Sequence, residues 1–459
     1  MKADIRAYHA AVEYVESFIK GPSEMTPDRR AVEKARKKRI PATKALLELF
    51  GSPQDQFKSV HISGTSGKGS TCAMVAQVLM EGGYKVGLHT SPYLQTPIEK
   101  ATVNGRYMDP DAMIKLIESS KSVIAEFNSS AWGPVNYVQL WLALILTYFA
   151  LERVDIVVVE VSVGGRYDYT NVLAPEVTAI TNVSMDHAES LGPTLEDIAW
   201  HKVGIAKKGT PMVTGVDYEG ALRVIEAECR ATDSPLYRVG QEIQYDVLDV
   251  APSGSFFRWR GGGAQLDHLE VGLLGAHQIS NAAVALGVIE CLKERGLNIP
   301  EGAIRSGLRD SRFPGRLEVL TERPTVVIDG AHNPAKAKTL SDALRKLFSY
   351  KDLILVLGVI ASKEAEQIAE VLAPVASTVI TTATRVAGKP FIPPEDMAAI
   401  VNNVNANVLW ENDPMVAVDK ALDMAGEDDL VCITGSIYLI GKVRERWVPL
   451  TKILDGAAR

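Results

Sequence analysis

The chain is poor in cysteine. Its 459 residues include only Cys72, Cys229, Cys291 and Cys432, which are scattered and form no CxxC pair. This spacing excludes a disulfide framework and a cysteine-rich zinc site. We therefore expect reduced thiols in a cytoplasmic protein.

Long apolar runs and an excess of basic residues are also missing. No stretch of about 18 apolar residues is available to span a bilayer, and the first four residues, Met-Lys-Ala-Asp, do not begin a signal peptide. Lys and Arg number 49 against 56 Asp and Glu, a net charge of −7, which argues against a general nucleic-acid binder. The 46% hydrophobic and 23% charged residues are typical of a globular protein, and the length favours two or three domains.

The most informative stretch is residues 60–71, Val-His-Ile-Ser-Gly-Thr-Ser-Gly-Lys-Gly-Ser-Thr. A predicted strand over 57–62 precedes a glycine turn, and apolar residues with helical spacing follow it. Strand, glycine loop, lysine, hydroxyl and helix in this order form a cradle for a nucleotide phosphate. The candidate nucleotide-binding residues are Gly64, Thr65, Ser66, Gly67, Lys68, Gly69, Ser70 and Thr71. Because the spacing differs from the standard P-loop, a glycine turn that only caps a helix remains the alternative.

Alternating short strands and amphipathic helices predict the fold class. Residues before Arg312 fit an α/β, doubly wound, mostly parallel sheet, with a small antiparallel appendage between about 236 and 272. The sequence Arg-Phe-Pro-Gly at 312–315 is a plausible hinge, and a second, Rossmann-like α/β series follows it. We expect an ATP-binding domain over 1–312 and a C-terminal domain over 313–459.

Charged residues follow several predicted strands. Glu160 ends a buried strand, where a carboxylate can coordinate a metal, although an ion pair with a local arginine is the simpler alternative. His187 follows Asp186 and could join a divalent-ion site, but a lone histidine is more often a hydrogen-bonded structural residue. Lys202 lies on the apolar side of a helix, which is costly unless its charge is matched or removed.

Three further residues fall in the second half of the chain. Asn281, Arg316 and Asp329 could line a cleft between two domains. Taken singly, they could equally be a helix-surface amide, a hinge ion pair and a helix cap.

Nine motifs, in order from about Leu46 to Arg444, resemble the folylpolyglutamate synthase and dihydrofolate synthase family, within the Mur ligase superfamily. They are Gly-Thr-Ser-Gly-Lys-Gly-Ser (64–70), Thr-Ser-Pro (90–92), Val-Glu-Val-Ser-Val-Gly-Gly-Arg (159–166), Met-Asp-His (185–187), His-Lys-Val-Gly-Ile (201–205), His-Gln-Ile-Ser-Asn-Ala (277–282), Phe-Pro-Gly-Arg (313–316), Asp-Gly-Ala-His-Asn-Pro (329–334) and Thr-Gly-Ser-Ile-Tyr-Leu (434–439). The glycine between Lys68 and Ser70 favours the folate branch over the cell-wall branch.

The resemblance implies an ATP-dependent ligase that joins L-glutamate to a folate-type carboxylate through an acyl phosphate. It implies catalytic roles for Lys68, His187 and Lys202, with Lys202 carbamylated, and ATP contacts from Asn281, Arg316 and Asp329. Ser70, Ser91, Glu160 and His187 would hold two Mg²⁺ ions. K⁺ dependence is left open.

The resemblance implies that the acceptor substrate is contacted by Tyr137, Val138, Gln139, Tyr167, Asp168, Tyr169 and His332. Some of these positions depart from the family pattern. Val138-Gln139 replaces the usual Phe-Glu pair, and Tyr167-Asp168-Tyr169 replaces Leu-Asp-Ala. Gln139 can donate as well as accept hydrogen bonds, unlike an ionised glutamate. The pocket could therefore hold the pterin differently, or hold another acceptor.

The implied partners are small molecules: folate or dihydropteroate, L-glutamate and ATP, with no nucleic acid, no membrane and a monomeric chain. Three alternatives remain: a Mur-type ligase for a non-folate carboxylate, a P-loop ATPase or kinase, and a regulatory nucleotide-binding protein. A basic run, Arg29, Arg30, Lys34 and 36–39, could attract a polyanionic acceptor. A solvated helix face is the interpretation we prefer for it.

Overall fold

A computed structural model describes residues 4–19, 29–361, 364–384 and 390–456 of the chain. The helices are α1 (Ile5–Glu16), α2 (Arg29–Leu49), α3 (Lys68–Glu81), α4 (Pro110–Asn128), α5 (Tyr137–Leu151), α6 (Ala188–Leu191), α7 (Leu195–Val203), α8 (Glu219–Ala231), α9 (His277–Glu294), α10 (Glu301–Arg309), α11 (Pro334–Leu347), α12 (Ala365–Leu372), α13 (Pro394–Asn402), α14 (Pro414–Met424), α15 (Ile437–Arg444) and α16 (Leu450–Leu454). Within the described ranges, none of them has the length and apolar character needed to cross a bilayer.

The first sheet has eight strands in the order β4-β3-β2-β5-β1-β6-β7-β8. They are β1 (Lys58–Ser63), β2 (Val86–His89), β3 (Ala101–Val103), β4 (Arg106–Tyr107), β5 (Ile156–Glu160), β6 (Val177–Ile180), β7 (Met212–Thr214) and β8 (Leu236–Arg238). All neighbours from β2 to β8 are parallel, whereas β3 and β4 add an antiparallel edge. Since β1, β5 and β6 run the same way, the residues that follow them meet at one edge of the sheet.

Helices cover both faces of this sheet, so its central strands read as continuous apolar runs. All five residues of β5 are buried. On one face α3, α9 and α10 pack with the three-stranded antiparallel sheet, β9 (Gln244–Ala251), β10 (Gly254–Gly261) and β11 (Ala264–Val271), which buries Phe257 and Trp259. On the other face α4 and α5 pack with α1 and α2.

A second sheet follows, with six strands in the order β12-β13-β17-β14-β15-β16. They are β12 (Glu318–Glu322), β13 (Thr325–Ile328), β14 (Leu353–Leu357), β15 (Thr378–Thr382), β16 (Val408–Glu411) and β17 (Leu430–Thr434). Only the β12–β13 pair is antiparallel. Helices again lie on both faces, α11, α12 and α13 on one and α14 and α15 on the other.

The two halves share buried side chains. Leu94, from the loop after β2, belongs to the apolar cluster of the second sheet, where it packs with Leu439 and Ile440. In the opposite direction, Ile453 and Leu454 of α16 lie in the core of the first half. The chain therefore crosses from the first half to the second and back again.

The predicted fold class is confirmed: a mostly parallel P-loop sheet, an antiparallel appendage and a second Rossmann-like sheet. The predicted strand over 57–62 agrees with β1 to within one residue, and the predicted appendage between about 236 and 272 contains β9, β10 and β11. The division at residue 312 stays a prediction. The second sheet begins at Glu318, while α16 returns to the first half.

Two glycines of α10 offer a matched test of the packing between α10 and α3. A β-carbon at Gly307 would lie 2.5 Å from Val78 Cα, whereas one at Gly302 would meet nothing within 4 Å. We expect Gly307→Ala to lower the free energy of unfolding by about 1–3 kcal/mol, because the backbone of α3 cannot move aside cheaply.

The control is Gly302→Ala on the same helix. It should raise the free energy of unfolding by up to about 1 kcal/mol, since alanine is the better helix former. Urea denaturation of both variants measures the two effects. Equal changes in the same direction would contradict the close approach of α10 to α3.

Candidate functional site

The loop between β1 and α3 is held by side chains from the end of β6. Asn182 Oδ1 accepts hydrogen bonds from the backbone N–H groups of Thr65 (3.2 Å) and Ser66 (2.8 Å). Thr181 Oγ1 donates to the carbonyl of Ser66 at 2.6 Å. Gly67 has a φ of 79°, in the left-handed region, where glycine is favoured. The loop is thus shaped before any ligand arrives.

Lys68, at the start of α3, points back into this loop. Its Nζ donates to the carbonyls of Gly64 (2.9 Å) and Thr65 (3.3 Å). Asn281 of α9 closes the other side, because a β-carbon at Gly67 would overlap its amide oxygen. The N-terminus of α3, the ammonium and the amide together form a pocket that suits an anion.

Glu160 lies at the end of β5 beside this pocket. The N–H of Ser91 donates to Glu160 Oε2 at 2.9 Å, and a β-carbon at Gly69 would lie 3.5 Å from the same oxygen. Ser70 is buried at the first turn of α3. In the described ranges no three His, Cys, Asp or Glu side chains form a metal centre by themselves. Hydroxyl and carboxylate oxygens are nevertheless the donors that Mg²⁺ prefers, so these residues fit that ion.

His187 and Asp186 follow β6 and face the second half of the molecule. Asp186 Oδ2 lies 3.3 Å from Lys336 Nζ, which lies 3.1 Å from His332 Nε2. Burial raises the pKa of Asp186, but the charges of Lys336, His187 and His332 and the hydrogen bond from Lys336 together outweigh it, so that pKa is lowered. His187 has 54% of its side chain exposed, and burial of the rest lowers its pKa. An ion pair thus joins the two halves next to His187.

Lys202 of α7 is almost fully buried, with 3% of its surface exposed. Burial, and next the nearby charge of Lys68, lower the pKa of Lys202 well below its usual value. Among the residues that the structure describes, no carboxylate lies within ion-pair distance of its Nζ. The surroundings of Lys202 therefore favour the uncharged form of its amine.

The second half brings Arg316 and Asp329 toward the loop. The ring of Phe313 covers Gly69, where any side chain would overlap it, and Arg316 lies 5.9 Å from the centre of that ring. The carboxylate of Asp329 is held by the backbone: it accepts 2.8 Å hydrogen bonds from the N–H groups of Leu317 and Ala331.

His277, at the start of α9, lies close to both charges. Burial lowers its pKa, and the charges of Asp329 and Arg316 act on it as well. The structure therefore brings Arg316 and Asp329 together around α9, beside the phosphate loop.

The three acceptor candidates at the start of α5 have different environments. Val138 is 42% exposed, whereas Gln139 is buried. Gln139 Oε1 accepts from Asn136 Nδ2 at 2.6 Å and its Nε2 donates to Thr43 Oγ1 at 3.3 Å. Asn136 and Gln139 form a capping box for α5. Much of the hydrogen-bonding capacity of Gln139 is therefore used within the protein.

The second acceptor triplet, residues 167–169, lies at the start of a 3₁₀ turn. Asp168 is buried and caps this turn, accepting from the N–H groups of Thr170 (3.0 Å) and Val163 (3.1 Å). Burial raises the pKa of Asp168. Tyr167 and Tyr169 are only partly buried. The hydroxyl of Tyr169 accepts from Asn136 Nδ2 at 3.0 Å, so both triplets meet at Asn136.

A buried lysine, at a position where the family usually has arginine, lies beside Tyr137. Lys100 Nζ lies 4.6 Å from the ring centre of Tyr137, 4.9 Å from that of Trp141 and 5.4 Å from that of Tyr93. It donates to the Tyr137 hydroxyl at 3.1 Å. Burial lowers the pKa of Lys100 to about 7.

Sequence reasoning missed Asn182, Asp186 and Lys336 as parts of the site. Asn182 and Asp186 stand inside or next to quoted motifs, so their position after β6 was the available signal. Lys336 gave no comparable signal, since its contacts come from distant parts of the chain.

Two models of known protein families match this chain. Residues 62–289 match the Mur ligase middle domain, and residues 315–437 match the Mur ligase glutamate ligase domain. Dihydrofolate synthase/folylpolyglutamate synthase of Bacillus subtilis is 32% identical over 407 residues, covering 88% of this chain and 93% of that protein. The chain belongs to the folylpolyglutamate synthase and dihydrofolate synthase family.

Two further relatives agree with this family. Folylpolyglutamate synthase of Lacticaseibacillus casei is 32% identical, with 87% and 92% of the two chains covered. The Mycobacterium tuberculosis folylpolyglutamate synthase, solved in complex with ADP and AMPPCP, superposes with a TM-score of 0.84 at 29% identity, covering 96% of this chain and 99% of that one. The expected family and its two-sheet architecture are confirmed, whereas the roles of single residues stay predictions.

The lowered pKa of Lys100 leads to a prediction about how the stability of the protein depends on pH. Lysine in an unfolded chain has a pKa near 10.4, so between pH 7 and 10 the unfolded state binds more protons than the folded state. Stability therefore rises with pH in this window, at most by about 1.4 kcal/mol per pH unit for one group. Lys100→Met should remove this gain, making the variant relatively more stable at pH 7 than at pH 9.

Urea denaturation at both pH values checks this, with the exposed Lys38→Met as the matched control. If the pH dependence of the free energy of unfolding is unchanged in Lys100→Met, or changes equally in both variants, the lowered pKa of Lys100 is contradicted.

Proposed function

We propose that this protein is an ATP-dependent ligase that adds L-glutamate to a folate-type carboxylate. The observation that carries the proposal is the meeting of two halves at one loop. Phe313 covers Gly69, and Lys336 pairs with Asp186 at 3.3 Å, next to a lysine-bearing phosphate loop. Membership of a family that includes named glutamate ligases supports the same reading.

The reaction would proceed in two steps. An oxygen of the acceptor carboxylate attacks the γ-phosphorus of ATP, ADP leaves and an acyl phosphate forms. The amine of glutamate then attacks the carbonyl carbon, phosphate leaves and the amine loses a proton, giving the amide. Lys68 would hold the β- and γ-phosphates, and its positive charge would offset the charge that builds on the transferring phosphoryl group.

Ser70, Ser91, Glu160 and His187 would hold two Mg²⁺ ions, which supply electrostatic stabilisation of the phosphates. Asn281, Arg316 and Asp329 would contact ATP. Two bodies, 1–312 and 313–459, would close over the ligands and exclude water, which matters because an acyl phosphate hydrolyses easily.

The acceptor would lie between α5 and the 167–169 turn, contacted by Tyr137, Val138, Gln139, Tyr167, Asp168 and Tyr169. His332 would contact glutamate or the acceptor from the second half. We expect dihydropteroate, folate or both to serve, in a monomeric cytoplasmic enzyme whose K⁺ dependence stays a prediction.

Lys202 would act as its carbamate. The uncharged amine attacks CO₂, forms an N–C bond and loses one proton, which converts a neutral amine into an anion. Such an anion could approach Mg²⁺, whereas the ammonium form would be costly because it is buried and unpaired.

Identification of the product tests the function. The protein is incubated with ATP, Mg²⁺, L-glutamate and either dihydropteroate or a reduced folate, and the products are weighed by mass spectrometry. We expect one added glutamyl residue and release of ADP and phosphate only when glutamate is present. Phosphate release that ignores glutamate would point to an ATPase instead.

Lys68→Ala should lower kcat by at least ~10³-fold, as is usual when a group that stabilises transition-state charge is lost. Glutamate-dependent phosphate release measures it. Lys58→Ala, at the exposed start of β1, is the matched control and should leave kcat unchanged. Near-normal turnover of Lys68→Ala would refute the phosphate-binding role.

The carbamate is checked by ¹³C NMR after equilibration with ¹³C-bicarbonate. The wild-type protein should give a carbamate signal that Lys202→Met lacks. Lys207→Met, at a partly buried lysine whose pKa burial lowers to about 8, should keep the signal. A spectrum without the resonance in the wild type would overturn this modification.

A further inference from the structure

The basic run of α2 is not uniformly a solvated face. Arg36 and Arg39, one helical turn apart, are partly buried, whereas Lys38 is exposed. The side chains of Arg29, Arg30 and Lys34 lie outside the described residues. The run therefore has an inward side, formed by two arginines, and an outward side.

Arg39 faces the proposed acceptor site. Its guanidinium lies 5.4 Å from the ring centre of Tyr169, whose hydroxyl is hydrogen-bonded to Asn136 at the start of α5. The carbonyl of Arg39 accepts from Thr43 Oγ1 at 2.7 Å, and Thr43 also receives the hydrogen bond from Gln139. This part of α2 is thus fixed against both acceptor segments.

Arg36 lies near enough to His201, in the neighbouring group of aromatic side chains, for its charge to act on that ring. Burial, and next the charge of Arg36, lower the pKa of His201 to about 4. The rings of His201 and Trp200 lie 5.9 Å and 6.2 Å from that of Tyr167, and Trp200 is 41% exposed. We call Arg36, Arg39, Tyr167, Tyr169 and Trp200 the arginine rim.

Neither arginine of the rim has an ion-pair partner in the ranges that the structure describes. By contrast, Arg166 next to them pairs with Glu228 at 2.8 Å. The nearest acid on the 167–169 turn, Asp168, accepts from two backbone N–H groups, and the charge of Arg39 acts to lower its pKa. Within the described ranges, both guanidinium groups thus keep N–H donors that no ion pair occupies.

The proposed reaction changes the charge of its own acceptor. Each ligation converts one carboxylate into an amide and brings in a glutamate that carries two carboxylates. The product therefore has one more negative charge than the acceptor had. A product that binds again must place these additional carboxylates beside the acceptor site.

We propose that the arginine rim is a carboxylate-binding subsite that makes the enzyme prefer acceptors already bearing glutamyl residues. This inference rests on the proposed function. A guanidinium offers a planar pair of N–H donors that matches a carboxylate, and it also stacks on aromatic rings. Dihydropteroate, which has only its reacting carboxylate, gains nothing from the rim.

The test compares wild-type protein with Arg36→Gln, Arg39→Gln and the double variant. KM is measured for dihydropteroate and for folates with one and with four glutamyl residues. We expect the double variant to raise KM for the tetraglutamate by about tenfold or more, the usual loss for charge-assisted hydrogen bonds. KM for dihydropteroate, ATP and glutamate, and kcat, should change less than twofold.

Lys38→Gln on the outward side is the matched control and should leave every KM unchanged. Arg39→Lys should restore part of the tetraglutamate affinity, because it keeps the charge but loses the planar contact. The tetraglutamate KM of the wild type should also rise with salt more steeply than that of the double variant. A KM change that is equal for all acceptors, or none at all, overturns the proposal.

Equilibrium binding of the same acceptors, followed by calorimetry without ATP, separates the two ideas. If the wild type forms no amide with any acceptor, the proposed function fails. The subsite still stands only if binding strengthens with glutamyl number in the wild type and not in the double variant. If amide forms but affinity does not depend on length, the function stands and the subsite fails.

Discussion

The carboxyl edge of the first sheet depends on one backbone constraint. β1 ends in a loop that must turn with φ of 150° at Gly64 and 79° at Gly67, and the loop amides must still find acceptors. Asn182 satisfies two of those amides from the end of β6. The loop is thus held by its own sheet. This loop is surrounded by the side chains of Lys68, Glu160 and Asn281. The ring of Phe313, from the second half, packs beside it.

The fold was largely predictable because burial leaves a clear pattern. Strands such as β5, which is apolar at every position before its terminal Glu160, leave a pattern from which their existence follows. The unpredicted elements lack that pattern. β12 is a short edge strand of mixed character, Glu-Val-Leu-Thr-Glu, and α13 is a nine-residue helix after two prolines. Their structure is decided by the neighbours against which they pack, which the local sequence does not reveal.

The candidate site was predicted in part. The positions of Glu160, at the end of a strand, and of Lys68, after a glycine loop, could be predicted from the local sequence. Those of Lys336 and Lys100 could not, because an ion pair with Asp186 and a cage of aromatic rings arise only when distant segments meet. Gln139 illustrates the opposite case. Asn-x-x-Gln before an apolar helix is a local capping signal, and the resemblance drew attention to a pocket role at the same position.

The return of α16 to the first half has a mechanical consequence. A body joined to its neighbour by one linker can swing in any direction, but this one is attached on both sides of its sheet, near residue 313 and again before Leu450. Two attachment points define a line, and rotation about that line is the motion that leaves both undisturbed. Because the chain joins the two halves near residue 313 and again before Leu450, the second half is restricted to hinge-like rotation about the line between these two points.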